Sequence, residues 1–431
     1  YAGVNAGEVA DPRPYCEIIR QWSTFHPEFT YLPRKFKIAV IGSKEDRAAT
    51  MLHDIGLHIV KNDAGELGFE VIVGGGLGRT PVIGKVIREF LPEKDLLSYL
   101  DSVLRVYNQY GRRDNKYKAR IKILVESMGK DAFAELVEQD WQVYNQDGAL
   151  TLTPEQIEYA KSFFSSPDYQ DFGADLPAIE QSLQDKLAAD SDFAAWYTHN
   201  THAHKVAGYR IVTLSLKPYL QIAGDVTSTQ MRVIADLADR YNFGEIRSTH
   251  HQNLVFSDIA LGDLYDLWQA LAEYNLARPN IGTLTDIIAC PGFDYCALAN
   301  ASTLNIVDQI NAHFEEVDYV HDLGDLRLNI SGCMNACAHH HVGDIGILGV
   351  DKKGEYWYQI SLGGSSKQDA KLGQILGRSV AMDAVASTLD DILQVYLAER
   401  QSEELFADTV ARIGLEPFQA RVYRDNATSE A

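Results

Sequence analysis

The chain has 431 residues, enough for two or three domains with real cores, and its apolar share of 46% and charged share of 23% are ordinary for a globular protein. A formal net charge of −21 argues against general nucleic-acid binding through phosphates, which needs a basic footprint. No apolar run is long enough to span a bilayer. Residue 1 is Tyr rather than Met, so a processed or truncated piece of a longer chain is expected.

In chain order, the first organised stretch is residues 36–78, "FKIAVIGSKEDRAATMLHDIGLHIV…GFEVIVGGGLG". It predicts a β-segment, a glycine, a loop, a second β-segment and a glycine-rich turn. An amphipathic helix follows in "EKDLLSYLDSVLRVYNQYG". Residues 111–122, "GRRDNKYKARIK", are the most basic stretch, and a solvated helix face is the expected reading. Residues 151–206 are polar and helical with "THAH" near their end. There His202 and His204 are expected in a connector turn rather than as a metal pair. Next, "YRIVTLSLKPYLQIAG", "TSTQMRVIADLADRYN", "FGEIRSTHHQNLVFSDI" and "ALGDLYDLWQALAEYN" give a β–α–β–β–α order, the signature of a ferredoxin-like unit. Residues 326–366, "LRLNISGCMNACAHHHVGDIGILGV…YWYQISLGGSS", then repeat the first stretch. Gly42 lies 290 positions before Gly332, the Asp54-Ile55-Gly56 triplet 290 before Asp344-Ile345-Gly346, and Gly74-Gly75 289 before Gly363-Gly364. A second amphipathic helix follows in "AMDAVASTLDDILQVYLAERQ". A constant offset across separate landmarks marks one duplicated α/β module. The expected organisation is a first α/β module at 1–150, a helical connector at 151–206, a ferredoxin-like module at 207–280 and a second α/β module at 281–431. The fold class is α+β with pseudo-two-fold duplication.

The copies differ in one loop. Where the second reads "CMNACAHHH", the first reads "SKEDRAATM". Four of the five cysteines fall in two pairs, Cys290 with Cys296 and Cys333 with Cys337, as C-x5-C, a gap of 36 and C-x3-C. Structural zinc sites favour two- or four-residue spacings with a matching second knuckle. Four thiolates are the usual ligand set of an iron–sulfur cluster. The spacing favours a cluster, with zinc or no metal as the alternatives. Cys16, alone in "RPYCEI", is expected to be a small buried hydrophobe. Three adjacent histidines, His339, His340 and His341, cannot all face one metal and are expected to pack around the loop.

"CPGFDYCALANA", "GCMNACAHHHVGDIGILGV", "LPRKFKIAVIG" and "RSTHHQNLVF" together resemble the sulfite/nitrite reductases that carry sirohaem and a [4Fe–4S] cluster, most of all the bacterial sulfite reductase haemoproteins. The resemblance covers nearly the whole chain. It implies that Cys290, Cys296, Cys333 and Cys337 bind the cluster, and that Cys337 is also the axial ligand to the sirohaem iron. It implies that Lys35 and Lys37 face the substrate and that Arg34 reaches a sirohaem carboxylate. In an extended strand the two lysines would share a side. It places Gln252 and Asn253 near the macrocycle, and Asn335 beside sulfur or haem unless it is a turn residue. It implies a first ferredoxin-like unit upstream of Tyr1, whose arginines would also grip sirohaem.

The function so implied is the six-electron reduction of sulfite to sulfide in sulfur assimilation. Nitrite reduction to ammonia at the same kind of site is the alternative, and a non-catalytic, metal-stabilised binding protein is a second one. No flavin or nicotinamide motif is visible, so a separate donor protein, a ferredoxin or an NADPH-flavoprotein, is expected. Few cysteines and cluster chemistry suggest the reducing cytoplasm. "GGGLGR" matches neither a dinucleotide nor a P-loop spacing, and its echo in the second copy argues for a structural turn.

Overall fold

The structure, a computed structural model, describes residues 1–218, 221–315 and 322–424. The chain divides into two compact units. One is Ala2–Tyr169 with Ser366–Ala370; the other is Tyr1, Gln170–Ser365 and Lys371 onward. The division falls inside the 151–206 stretch.

In the first unit, helices α1 (Arg13–Ser23) and α2 (Pro27–Thr30) precede strands β1 (Ile38–Ile41), β2 (Ile55–Lys61), β3 (Leu67–Val73) and β4 (Lys85–Pro92), which form one sheet in the order β1-β2-β3-β4. Helices α3 (Leu96–Tyr110), α4 (Ile121–Met128), α5 (Lys130–Tyr144) and α6 (Pro154–Lys161) follow. Alternation along β2 and β3 buries Ile55, Leu57 and Ile59 with Phe69, Val71 and Val73. These meet Leu96, Tyr99, Leu100, Val103 and Tyr107 of α3 in a single core. The Thr153 hydroxyl and the Gln156 side chain start α6 with a reciprocal cap.

In the second unit, α7 (Leu176–Ala189) and α8 (Ser191–Asn200) lead into β5 (Thr201–Ala203), β6 (Tyr209–Leu214), α9 (Ser228–Tyr241), β7 (Arg247–Ser248), β8 (Leu254–Ala260) and α10 (Leu264–Ala272). The antiparallel sheet runs β5-β6-β8-β7, and its core includes Phe193, Trp196, Leu214, Ile234, Phe256 and Leu267. "THA" at 201–203 is therefore a strand, not a turn. His204 lies 3.2 Å from the buried carboxylate of Asp258, and the His202 ring centroid is 4.6 Å from that of Tyr1, so the two do not form a metal pair.

The rest of this unit holds β9 (Ile288–Ala289), α11 (Leu304–Phe314), β10 (Leu328–Ser331), β11 (Ile345–Lys352), β12 (Glu355–Leu362), β13 (Gln374–Ile375), β14 (Val380–Ala381), α12 (Val385–Glu399), α13 (Phe406–Ile413) and α14 (Glu416–Val422). Its sheet runs β13-β12-β11-β10-β9, with β14 also on β12. β9, β10 and β11 are mutually parallel, and β12 is antiparallel to β11. Ile345, Ile347, Tyr358 and Ile360 meet Val385, Leu389, Ile392 and Tyr396 of α12.

The duplication is visible residue by residue. Ile38 pairs with Ile55 as Leu328 pairs with Ile345. The backbone N–H of Lys37 donates to the Asp54 carboxylate at 2.9 Å, and that of Arg327 to the Asp344 carboxylate at 2.7 Å. Gly74 N–H donates to Asp54 O at 3.0 Å and Gly363 N–H to Asp344 O at 2.9 Å. Residues Ala49 and His339, 290 apart, are both left-handed, at φ 51° and 58°, and each opens a short 3-10 turn.

Candidate metal centre

Two parallel neighbouring strands need a crossover of about a dozen residues. Residues 332–344 are that crossover between β10 and β11, and they carry Cys333 and Cys337. Cys290 follows β9 directly, and β9 lies parallel beside β10. Both cysteine pairs therefore leave the carboxyl ends of adjacent parallel strands, the edge where open α/β sheets bind ligands. The loops are stitched together. Gly332 N–H points at the Cys290 thiol, 3.1 Å away, and Asn300 N–H donates to Gly332 O at 2.8 Å. Cys296 N–H donates to Gly292 O at 2.9 Å, and the Thr303 hydroxyl donates to Cys290 O. A Cβ on Gly332 would sit 2.8 Å from Ala301 O and 2.9 Å from the Gly292 Cα, so this approach requires glycine.

Cys333 is buried, Cys290 and Cys296 are half-buried and Cys337 is exposed. None of the five cysteines forms a disulfide. Cys16 is exposed on α1, against the expectation of a buried hydrophobe, because the inward face of that helix is taken by Tyr15, Ile18 and Ile19. Asn335 is exposed and does not supply the left-handed turn; Ala336 does, at φ 56°. His340 is 3% exposed, its ring centroid 4.0 Å from that of His341, and neither of its ring nitrogens has a hydrogen-bond partner among the described residues. Burial pushes its pKa down to about 3, with His341 and His339 adding to the effect, so the ring is neutral.

The segment delivering Cys290 is held by a buried polar network. The Gln252 amide pairs both ways with Ala289, donating to its O at 2.6 Å and accepting from its N–H at 3.0 Å. Asn253 accepts from Leu216 N–H at 3.1 Å and donates to Asp286 at 3.0 Å. The Lys217 ammonium, fully buried, donates to His251 O at 2.6 Å and pairs with Asp286. The amides of Gln252 and Asn253, which the motif places near the macrocycle, hold the chain that leads to Cys290. Sequence offered no signal for Lys217 or Asp286, because their partnership is non-local.

In the other unit, "LPRKFK" is not a strand, since β1 begins at Ile38. Arg34 and Lys35 are exposed and Lys37 is half-buried, while Phe36 packs on Phe29 and Tyr107. The basic stretch 111–122 is not a solvated helix face either. Arg120 clamps the buried Asp54 carboxylate at 2.6 and 2.7 Å. Lys122 donates to the carbonyls of Gly76, Leu77 and Thr80 at 3.3, 2.8 and 2.5 Å. Burial, with Arg120 and Lys37 nearby, pushes the Lys122 ammonium down to about 8. The "GGGLGR" loop thus turns carbonyls toward a cation rather than N–H groups toward a phosphate. Lys37, Arg120 and Lys122 form a cationic group that is easily read as three unrelated surface charges in the sequence.

Among the described residues, no three His, Cys, Asp or Glu side chains converge as a single metal ion requires. Four thiols on two adjoining loops, closed by paired glycines and a buried unpartnered imidazole, suit a larger sulfur-bridged cluster. The molecule is thus an α+β protein with four thiols on two adjoining loops at the carboxyl edge of a parallel sheet. Comparison with known proteins identifies the family. The nitrite and sulphite reductase 4Fe-4S domain matches residues 1–144 and 282–429, and the nitrite/sulfite reductase ferredoxin-like half domain matches 207–274. A ferredoxin sulfite reductase of Mycolicibacterium paratuberculosis is 26% identical over 421 residues, covering 95% of this chain and 68% of that protein. A ferredoxin–nitrite reductase of Synechococcus elongatus is 29% identical over 413 residues, covering 93% and 70%. The solved structure of Mycobacterium tuberculosis NirA superposes with a TM-score of 0.72 at 26% identity, covering 97% of this chain and 70% of that one.

The chain belongs to the nitrite and sulphite reductase family. It is an oxidoreductase whose cofactors are sirohaem and a [4Fe–4S] cluster.

Proposed function

We propose that this protein reduces sulfite to sulfide. Relatives named as ferredoxin sulfite reductases and as an NADPH sulfite reductase haemoprotein support this reading. Nitrite reduction to ammonia is the second reading, favoured by the 29% identity to a ferredoxin–nitrite reductase. Both reactions take six electrons and remove oxygen as water.

Cys290, Cys296, Cys333 and Cys337 would hold the cluster in this reading, and Cys337 would also hold the sirohaem. The coupled pair, when bound, passes electrons singly to the oxyanion. The chain's own groups do the rest. Lys35 and Lys37 balance the anion's charge and deliver protons from Nζ to departing oxygen. Arg34 pairs with a macrocycle carboxylate, and Asn335 offers an amide beside Cys337. Gln252, Asn253, Lys217 and Asp286 fix the approach of Cys290. The donor is a separate one-electron protein of the ferredoxin kind, and the reducing cytoplasm suits a chain whose cysteines form no disulfide.

The observation that carries this reading is the adjacency of β9 and β10, which brings the Cys290 thiol to Gly332 N–H at 3.1 Å. Iron, acid-labile sulfide and the visible spectrum of the purified protein test it. A Soret band with a far-red band and about four cluster irons are expected; a colourless protein with stoichiometric zinc overturns it. Steady-state rates with sulfite and with nitrite, on a reduced dye donor, then decide the substrate.

A further inference from the structure

The two crossovers match at position 50 and position 340, 290 apart. Each lies in a 3-10 turn just after a left-handed residue, and the carbonyl of each packs so close to a glycine, Gly56 or Gly346, that a Cβ there would sit 2.5 or 1.9 Å from it. The next residues match as well: Gly84 N–H donates to Met51 O at 2.7 Å, and Gly373 N–H to His341 O at 2.8 Å. The Cα–Cβ bonds at 50 and 340 therefore leave equivalent backbones.

At position 50 the side chain is satisfied by protein. The Thr50 hydroxyl donates to the Asp46 carboxylate at 2.6 Å, and His58 Nε2 lies 2.5 Å from the Thr50 hydroxyl oxygen. The counterparts of Asp46 and His58 are Ala336 and Leu348, which carry no polar side-chain atom. His340 is thus a larger polar group on the same backbone with both protein partners replaced by hydrocarbon. Each buried nitrogen left without a partner gives up the hydrogen bond it had in water and gains none in return. Ala336, the residue in the place of Asp46, lies between Cys333 and Cys337.

We propose that His340 donates its ring N–H to a sulfur of the cluster held on this loop and so raises the cluster's reduction potential. The inference rests on the reading that Cys333 and Cys337 are cluster ligands. Reduction adds a negative charge to the cluster, and an N–H dipole aimed at sulfur stabilises that charge. A neutral imidazole suits the role, since it has one N–H and adds no net charge. Hydrogen bonds to sulfur are among the features that set cluster potentials.

The test uses the cofactor-loaded protein. In His340→Leu, the oxidised-to-reduced ratio at the wild-type midpoint should rise about tenfold, equivalent to 59 mV for one electron. In His340→Gln, which keeps an N–H donor, it should move much less. A second arm does not depend on the potential: wild type grown with 15N-histidine and reduced should show a 15N coupling to the cluster by pulsed EPR, and His340→Gln grown the same way should not. Absence of that coupling in wild type, its persistence in His340→Gln, or an unchanged midpoint in His340→Leu overturns the proposal. So does loss of sirohaem with the cluster potential unmoved, which would assign His340 to the macrocycle. Wild type lacking iron and labile sulfide would instead sink the cluster reading itself.

Discussion

Crossovers 42–54 and 332–344 share strand register, turn geometry and backbone hydrogen bonds, yet they are closed by different chemistry. In the first, one buried carboxylate organises the loop: Asp46 accepts from Ala48 N–H at 3.0 Å, Thr50 N–H at 2.9 Å and the Thr50 hydroxyl at 2.6 Å. Burial pushes that carboxyl up, but the His58 and Thr50 contacts outweigh it and hold it below its ordinary value. The second loop carries thiols, an alanine and an unpartnered histidine in the corresponding places. One backbone thus accommodates a loop closed by a buried acid and, in the proposed reading, a loop closed on a prosthetic group. In the second loop the ring nitrogens of His340 have no hydrogen-bond partner among the described residues, and that loop is the one that carries Cys333 and Cys337.

The comparison breaks most visibly if the cluster is stripped with chelator and oxidant. Amide exchange in 332–344 should then accelerate by about a hundredfold or more, while 42–54 stays protected. Equal behaviour of the two loops, read by hydrogen-exchange mass spectrometry, would mean that the second needs no prosthetic group. The reverse experiment is Asp46→Ala, which leaves buried donors unsatisfied in the first loop. It should cost about 3 kcal/mol in urea unfolding with the cluster content unchanged. Next is Lys122→Met, which removes the cation from three carbonyls of the 76–80 loop. A loss of about 2 kcal/mol is expected, with local exchange there rising first.

The smallest effect is a pH dependence confined to the first copy. His53, whose Nδ1 lies 2.8 Å from Ala49 O, corresponds to Gly343 in the second. Burial, and Lys37 nearby, hold its pKa below the usual 6.5, against the opposing pull of Ala49 O. The folded form keeps the ring neutral, so the unfolded chain binds more protons once pH falls below about 6.5. Stability is full above that pH and declines below it, through the depressed folded pKa. Between pH 7.5 and 5.5 the first unit should lose stability that His53→Gln does not lose. A variant with the same pH slope as wild type would remove His53 from the account.

Much of this was legible in the chain. The 290-residue offset announced the duplicated module, alternation and helical periodicity gave the strands and the long helices, and the cysteine spacing favoured a cluster. Less legible was what each polar side chain touches. Arg120 and Lys122 sit in a run that reads as solvated charge, yet one clamps Asp54 and the other a glycine loop. The motif of Gln252 and Asn253 gave no sign that their amides close on Ala289, Leu216 and Asp286. Cys16 is exposed because helix phase, not residue type, decided its face.

By itself the sequence determined the repeat, the α+β class and which copy carries thiols, since these follow from local pattern and residue identity. Tertiary structure alone decided that β9 lies against β10, and so that Cys290 meets a loop 42 residues away. The physical reason is that parallel pairing is non-local: its hydrogen bonds form only after the intervening chain has crossed over, and no short window of sequence encodes that choice.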